Sequence, residues 1–86
     1  MYRIIYDNKV LQDDVPSLGK SARQLIQKAI EERLTTNPLH YGKPLRYSLH
    51  GHRRIRVSNY RIVYTVDESA KTVYIMNIVH RKDAYD

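Results

Sequence analysis

The sequence predicts one α+β domain spanning residues 1–86, with two N-terminal helices packed on an antiparallel sheet in the order βααβββ. Three observations point there. Apolar residues recur at helical spacing through Leu34, the period changes to two from Leu45 onward, and no linker, repeat or low-complexity stretch separates the two halves. β-Branched and aromatic residues dominate the second half, which places the sheet after the helices.

Tyr2, Ile4 and Tyr6 alternate with Arg3 and Ile5 as a first strand, and Asp7-Asn8, good turn and N-cap residues, end it. Val10, Leu11, Asp14 and Val15 give a short helical spacing that Pro16 should close, because proline disfavours helical backbone in the residue before it. Ser21 and Gln24 read as a capping box ahead of Ala22, Leu25, Ile26, Ala29, Ile30 and Leu34, the apolar stripe of the main helix, which Asn37-Pro38 closes. Strands are expected over residues 53–57, 60–66 and 72–79, joined by a tight Ser58-Asn59 turn and a turn at residues 67–70. These three form an antiparallel meander. The last is apolar almost throughout, as a strand covered on both faces would be.

At 86 residues a chain buries only about 60 to 65% of its unfolded surface, which favours a surface site over a deep pocket. A composition 42% hydrophobic and 28% charged is that of an ordinary globule, not of a disordered segment. The absence of cysteine excludes a disulfide framework, a thiolate nucleophile and the usual structural zinc site, and suggests the cytoplasm. No apolar run reaches the length of a membrane span and no signal peptide core opens the chain, so no membrane partner is expected.

The net charge of +6 favours an anionic partner, and its placement is informative. Residues 40–64 hold Lys43, Arg46, Arg53, Arg54, Arg56 and Arg61 without one acidic side chain, while the segments on either side nearly cancel. Alternation along the strand after Gly51 sends Ile55 and Val57 toward the helices and Arg54 and Arg56 to the other face. A tight turn at Ser58-Asn59 brings Arg61 within cross-strand reach of them. Such a cluster repels itself, so it reads as an anion site, the alternative being a plain solvated face.

Most of the eight tyrosines read as core or rim residues. Tyr85 stands apart, beyond the last strand beside His80, Arg81 and Lys82, where its ring could stack on a nucleobase. His50-Gly51-His52 has no cysteine or acid nearby to complete a ligand set, so neither a metal nor a cofactor is expected. His52 and His80 are candidate proton carriers, since imidazole titrates near neutrality. No phosphate-binding glycine loop, paired carboxylates or nucleophilic serine arrangement is present.

Gly42-Lys43-Pro44-Leu45-Arg46, Leu49-His50-Gly51, Arg54-Ile55-Arg56, Asn59-Tyr60-Arg61-Ile62-Val63-Tyr64 and Ile78-Val79-His80-Arg81-Lys82-Asp83-Ala84-Tyr85 occur together in that order. This pattern resembles the RelE/ParE superfamily of bacterial toxins along the whole chain. The resemblance implies a microbial-ribonuclease-like RelE fold and, for the RelE branch, a ribosome-dependent endoribonuclease that cuts mRNA in the ribosomal A site. That cleavage proceeds without metal, by attack of a ribose 2′-OH on the adjacent phosphate. It also implies a cognate RelB-like antitoxin as partner, with operator DNA met only indirectly through the toxin–antitoxin complex.

The family's active face maps onto Arg54, Arg56, Arg61, Arg81 and Tyr85, with Lys43, Arg46, Arg53 and Lys82 as candidate RNA contacts around it. Some RelE enzymes have lysines where this chain has Arg54 and Arg56, and a guanidinium is a poor proton acceptor near neutral pH. Proton transfer is therefore expected of His52 or His80. The ParE branch, which shares the fold but poisons DNA gyrase, is the alternative, followed by a binding module without catalysis.

Overall fold

The computed structural model of the protein describes residues 1–47 and 50–83. Five strands form one sheet in the order β1-β5-β4-β3-β2. They are β1 (Arg3–Tyr6), β2 (Lys43–Pro44), β3 (Arg53–Val57), β4 (Tyr60–Asp67) and β5 (Thr72–His80). The three long strands make the expected meander, β3 antiparallel to β4 and β4 to β5. Ser58 adopts φ 54° in the reversal between β3 and β4, the left-handed backbone that tight hairpins use. β1 adds at the far edge, parallel to β5.

The helices lie between β1 and β2 in the chain: α1 (Val10–Asp14), α2 (Lys20–Ala29, prolonged by Ile30–Leu34) and α3 (Pro38–Tyr41). Asp7 starts the first of them, its carboxylate accepting the Lys9 N–H at 3.2 Å and its carbonyl accepting from Val10 and Leu11. The turns of α1 are widened, with the Val15 N–H donating to the Val10 carbonyl five residues back at 2.8 Å. Val15 keeps helical dihedrals of φ −63° and ψ −46° directly before Pro16, contrary to the expected bias, and the helix ends there.

The capping box expected at Ser21 and Gln24 does not form. Gly19, in extended conformation at φ −69° and ψ 165°, is the N-cap of α2, and both residues lie inside the helix. Leu18 is anchored in the core just before it, and this sets where the chain must turn into the helix. Ile26, Ala29, Ile30 and Leu34 bury the expected stripe against the sheet, whereas Leu25 stays 47% exposed. They meet Ile62, Tyr64, Val73 and Ile75, with Val10 of α1 sealing one end. Each such side chain contributes about 1.5–3 kcal/mol by leaving water.

Among the described residues, helices cover one face only, and β5 is not enclosed on both sides: Val73, Ile75 and Ile78 are buried while Tyr74 is exposed. A bulge between Val63 and Tyr64 on the β4–β5 ladder lets β5 keep its apolar residues inward along its whole length. The Asp14 carboxylate accepts the Ile78 N–H at 2.9 Å and ties α1 to the second half of β5. The strand expected over residues 53–57 is β3, and just before it the Leu45 N–H donates to the His52 carbonyl at 2.9 Å. Among the described residues, no helix is long and apolar enough to cross a membrane.

Candidate nucleic-acid interface

Along β3 the side chains separate as the alternation requires. Ile55 and Val57 are buried toward the helices, and Arg54 and Arg56 occupy the uncovered face. The register sets Arg56 directly opposite Arg61 on β4, and Arg54 between Lys43 on β2 and Val63 on β4. Cross-strand partners share a face with Cβ atoms about 5 Å apart, so four cations from three strands stand together. Arg54, Arg56 and Arg61 each have contacts within the protein, and like charges gathered on one face add an attraction for a polyanion that salt would screen. Val63 lies in their midst and is only 4% exposed, as expected where long aliphatic stems fold over an apolar residue.

Arg53 follows the other phase of the strand. Its Nη2 donates to the Leu39 carbonyl at 2.7 Å and to the Gly42 carbonyl at 2.6 Å. Beside it the fully buried Tyr64 donates its hydroxyl proton to the Pro38 carbonyl at 2.6 Å. Burial raises the Tyr64 pKa above the ordinary tyrosine value, with the hydrogen bond and charge of Arg53 pulling the other way. Gly42 completes this brace: a Cβ there would fall 1.7 Å from the Tyr64 hydroxyl oxygen. Arg53, a candidate RNA contact by composition, thus has its guanidinium turned toward the chain's own carbonyls beneath α3.

Arg46 is exposed in the loop before β3. Beyond β5 a single helical turn (Arg81–Asp83) begins with the Arg81 N–H donating to the Asn59 carbonyl. That contact brings exposed Arg81 and Lys82 to the hairpin end of the sheet, where Arg56 faces Arg61. Tyr85 lies outside the described residues.

The two histidines part company. His80 pairs with Tyr60, on the strand phase opposite to Val79 and Arg61, and the two rings meet edge-on at 5.2 Å. Its Nδ1 accepts the Lys82 N–H at 3.3 Å, which leaves Nε2 to carry the proton of the neutral ring. His52 lies at the other end of β3, lining a cleft with Leu39, Leu45 and Val66, and its Nδ1 is buried with no partner among the described residues. Among the described residues, no three His, Asp or Glu side chains gather as metal ligands.

Two polar residues of this region are not singled out by the sequence. Asn77 pairs with Val63 and so shares the face of Arg54 and Arg61. Tyr41, at the end of α3, lines an open groove of about 360 Å³ with Lys43, Arg54, Ile55 and Arg56. The only signal for Tyr41 was its place two residues before Lys43, inside the basic segment.

The domain has two layers, and its sheet face opposite the helices carries cations from adjoining strands. The family model described as ParE toxin of type II toxin-antitoxin system, parDE, matches residues 3–85, and the chain belongs to this RelE/ParE family. Toxin RelG of Mycobacterium tuberculosis is 42% identical over 52 residues, covering 60% of this chain and 60% of RelG. Toxin RelE of the same organism is 40% identical over 52 residues, 60% of this chain and 54% of that protein, so the chain spans little more than half the length of these relatives. Among solved structures, the RelBE2 toxin–antitoxin complex from M. tuberculosis superposes with a TM-score of 0.86 at 29% identity, covering 93% of this chain and 98% of that one. The E. coli RelBE complex, at 24% identity and a TM-score of 0.78 with 100% of both chains covered, has the same fold.

Proposed function

We propose that this toxin is a ribosome-dependent, metal-independent endoribonuclease that cuts mRNA in the ribosomal A site, acting in the cytoplasm and held silent by a RelB-like antitoxin. The observation that carries this reading is the direct pairing of Arg56 with Arg61, with Arg54 and Lys43 on the same open face. In the reaction the 2′-oxygen attacks the adjacent phosphorus and gives up its proton. The 5′-oxygen of the next nucleotide leaves and takes one up, which yields a 2′,3′-cyclic phosphate and a free 5′-hydroxyl. Arg54, Arg56 and Arg61 hold the phosphorane oxygens, each such donor being worth about 10²–10³ in kcat in a dry site. Arg81 supports the leaving oxygen and Tyr85 stacks on a base. His80 and His52 are the candidate proton carriers; His80 stands on the strand phase opposite Arg61, so it would reach the phosphate only around the hairpin end of the sheet. The ribosome supplies the positioning that a domain of this size cannot.

The antitoxin has an apolar seat as well as a basic one. Tyr6, Leu11, Val15, Leu18, Ile26 and Ile30 line a groove of about 230 Å³ between the helices, which suits an apolar helix whose acidic continuation covers the arginines. The gyrase-poison reading draws its support from the description of the matching family, ParE toxin. Purified toxin in a translating extract, with primer extension on the message, separates the two. Codon-phased cuts support the nuclease, and intact message with gyrase trapped on DNA supports the alternative.

A further inference from the structure

The groove at the edge of β3 has a feature that phosphate binding alone leaves unused. Tyr41 is 51% exposed although its neighbours on both sides are held fast. Pro38 is tied to Tyr64, Leu39 and Gly42 are tied to Arg53, and Gly42 sits against the Tyr64 ring with no room for a side chain. The ring is therefore presented on a rigid support. β2 ends after pairing with Arg53 and Arg54, so among the described residues β3 from Ile55 onward has no strand on that side. Tyr41, Lys43, Arg54 and Arg56 border the resulting opening.

An exposed ring beside a row of cations is what single-stranded nucleic acid recognition uses, bases stacking on the ring while phosphates lie along the charges. A protein partner recognised through its carboxylates would need the cations alone. We propose that Tyr41, Lys43, Arg54 and Arg56 form a nucleotide subsite at the sheet edge, where Tyr41 stacks on an RNA base flanking the cleaved bond while Lys43 and Arg54 hold its phosphate. The subsite rests on the RNA-cutting reading of the face and extends it by one nucleotide. It is sequence-tolerant, since every base offers a face to stack.

Fluorescence anisotropy with the full chain tests it, using a labelled hexaadenylate and a matched hexamer with abasic sugars at 50 mM salt. Tyr41→Ala should weaken hexaadenylate binding about tenfold, Tyr41→Phe should stay within about twofold of the parent, and the abasic hexamer should be indifferent to both. Undiminished binding by Tyr41→Ala while Arg56→Ala weakens it overturns the subsite alone. Binding unaffected by Arg56→Ala as well overturns the RNA face on which it rests. An equal Tyr41 dependence toward hexaglutamate, or toward the abasic hexamer, overturns it in favour of a groove for acidic protein segments or a merely structural role.

Discussion

Gly42→Ala is the sharpest test of how the basic edge is held. The backbone at Gly42, φ −89° and ψ 159°, suits alanine, so the substitution adds no dihedral strain. The new Cβ, however, would lie 1.7 Å from the Tyr64 hydroxyl oxygen and 2.6 Å from its Cζ. Tyr64 is 0% exposed and tethered to the Pro38 carbonyl at 2.6 Å, so relief requires either breaking that bond or moving the loop off Arg53. Overpacking costs about 1–3 kcal/mol and a lost buried hydrogen bond about 1–3, offset by under about 1 from the stiffer unfolded chain. The net is about 3 kcal/mol, a large share of the roughly 4–13 expected for a domain of this length. Urea unfolding followed by circular dichroism should show the midpoint falling by about 2–3 M. Removing the hydroxyl with Tyr64→Phe abolishes the nearer contact but leaves the ring, so the double variant should be less destabilised than the sum by about 1–2 kcal/mol. A Gly42→Ala protein within about 0.5 kcal/mol of the parent, or strict additivity, would refute the brace.

Arg53→Ala should cost about 2–3 kcal/mol of stability through its two carbonyl contacts, with Arg53→Lys recovering part, whereas exposed Arg46→Ala should stay within about 0.5 kcal/mol in the same urea titration. Arg56→Ala should leave the urea midpoint nearly unchanged and lower the slope of log affinity for hexaadenylate against log salt by about 0.7, read by anisotropy across a salt series. Acid should loosen the β4–β5 turn. The Asp67 carboxylate accepts from the Ser69 hydroxyl at 2.7 Å and the Ala70 N–H at 3.1 Å, and these bonds, the hydroxyl's first, hold its pKa below the ordinary value. Its contribution is therefore full above the ordinary carboxylate pKa of about 4 and disappears as pH falls through the lowered folded value. Asp67→Asn should flatten that part of the stability profile, measured by thermal unfolding between about pH 5 and 2.

The meander was legible because its rules are local. Period-two alternation over Arg53–Val57 and Tyr60–Asp67, with Ser58-Asn59 between them, leaves one register that buries Ile55, Val57 and Ile62, and the same register sets Arg56 against Arg61. The short elements α3 and β2 were not legible, since tertiary contacts hold them: Tyr64 to Pro38 and Arg53 to Leu39 and Gly42 span sequence separations that no pattern encodes. Arg53 shows the limit of composition. Its charge placed it with the RNA contacts, while the alternation that assigned Arg54 and Arg56 outward already put Arg53 on the phase of Ile55. Ser21 and Gln24 matched a capping motif, but the spacing also fits a helix interior, and the extended residue that starts the helix is Gly19. Tyr41 became visible only when the fold placed it beside Arg54 and Arg56.

In the proposed reaction the paired arginines Arg56 and Arg61 stabilise the transition state of RNA cleavage. Its most direct measurement is the single-turnover rate of A-site mRNA cleavage on programmed ribosomes, comparing the parent with Arg56→Ala and Arg61→Ala at saturating toxin. The parent should cleave in phase with the codons and each variant should be slower by about 10²–10³, with ribosome binding retained. Cleavage at the parental rate in both variants, or none by the folded parent, would contradict that role.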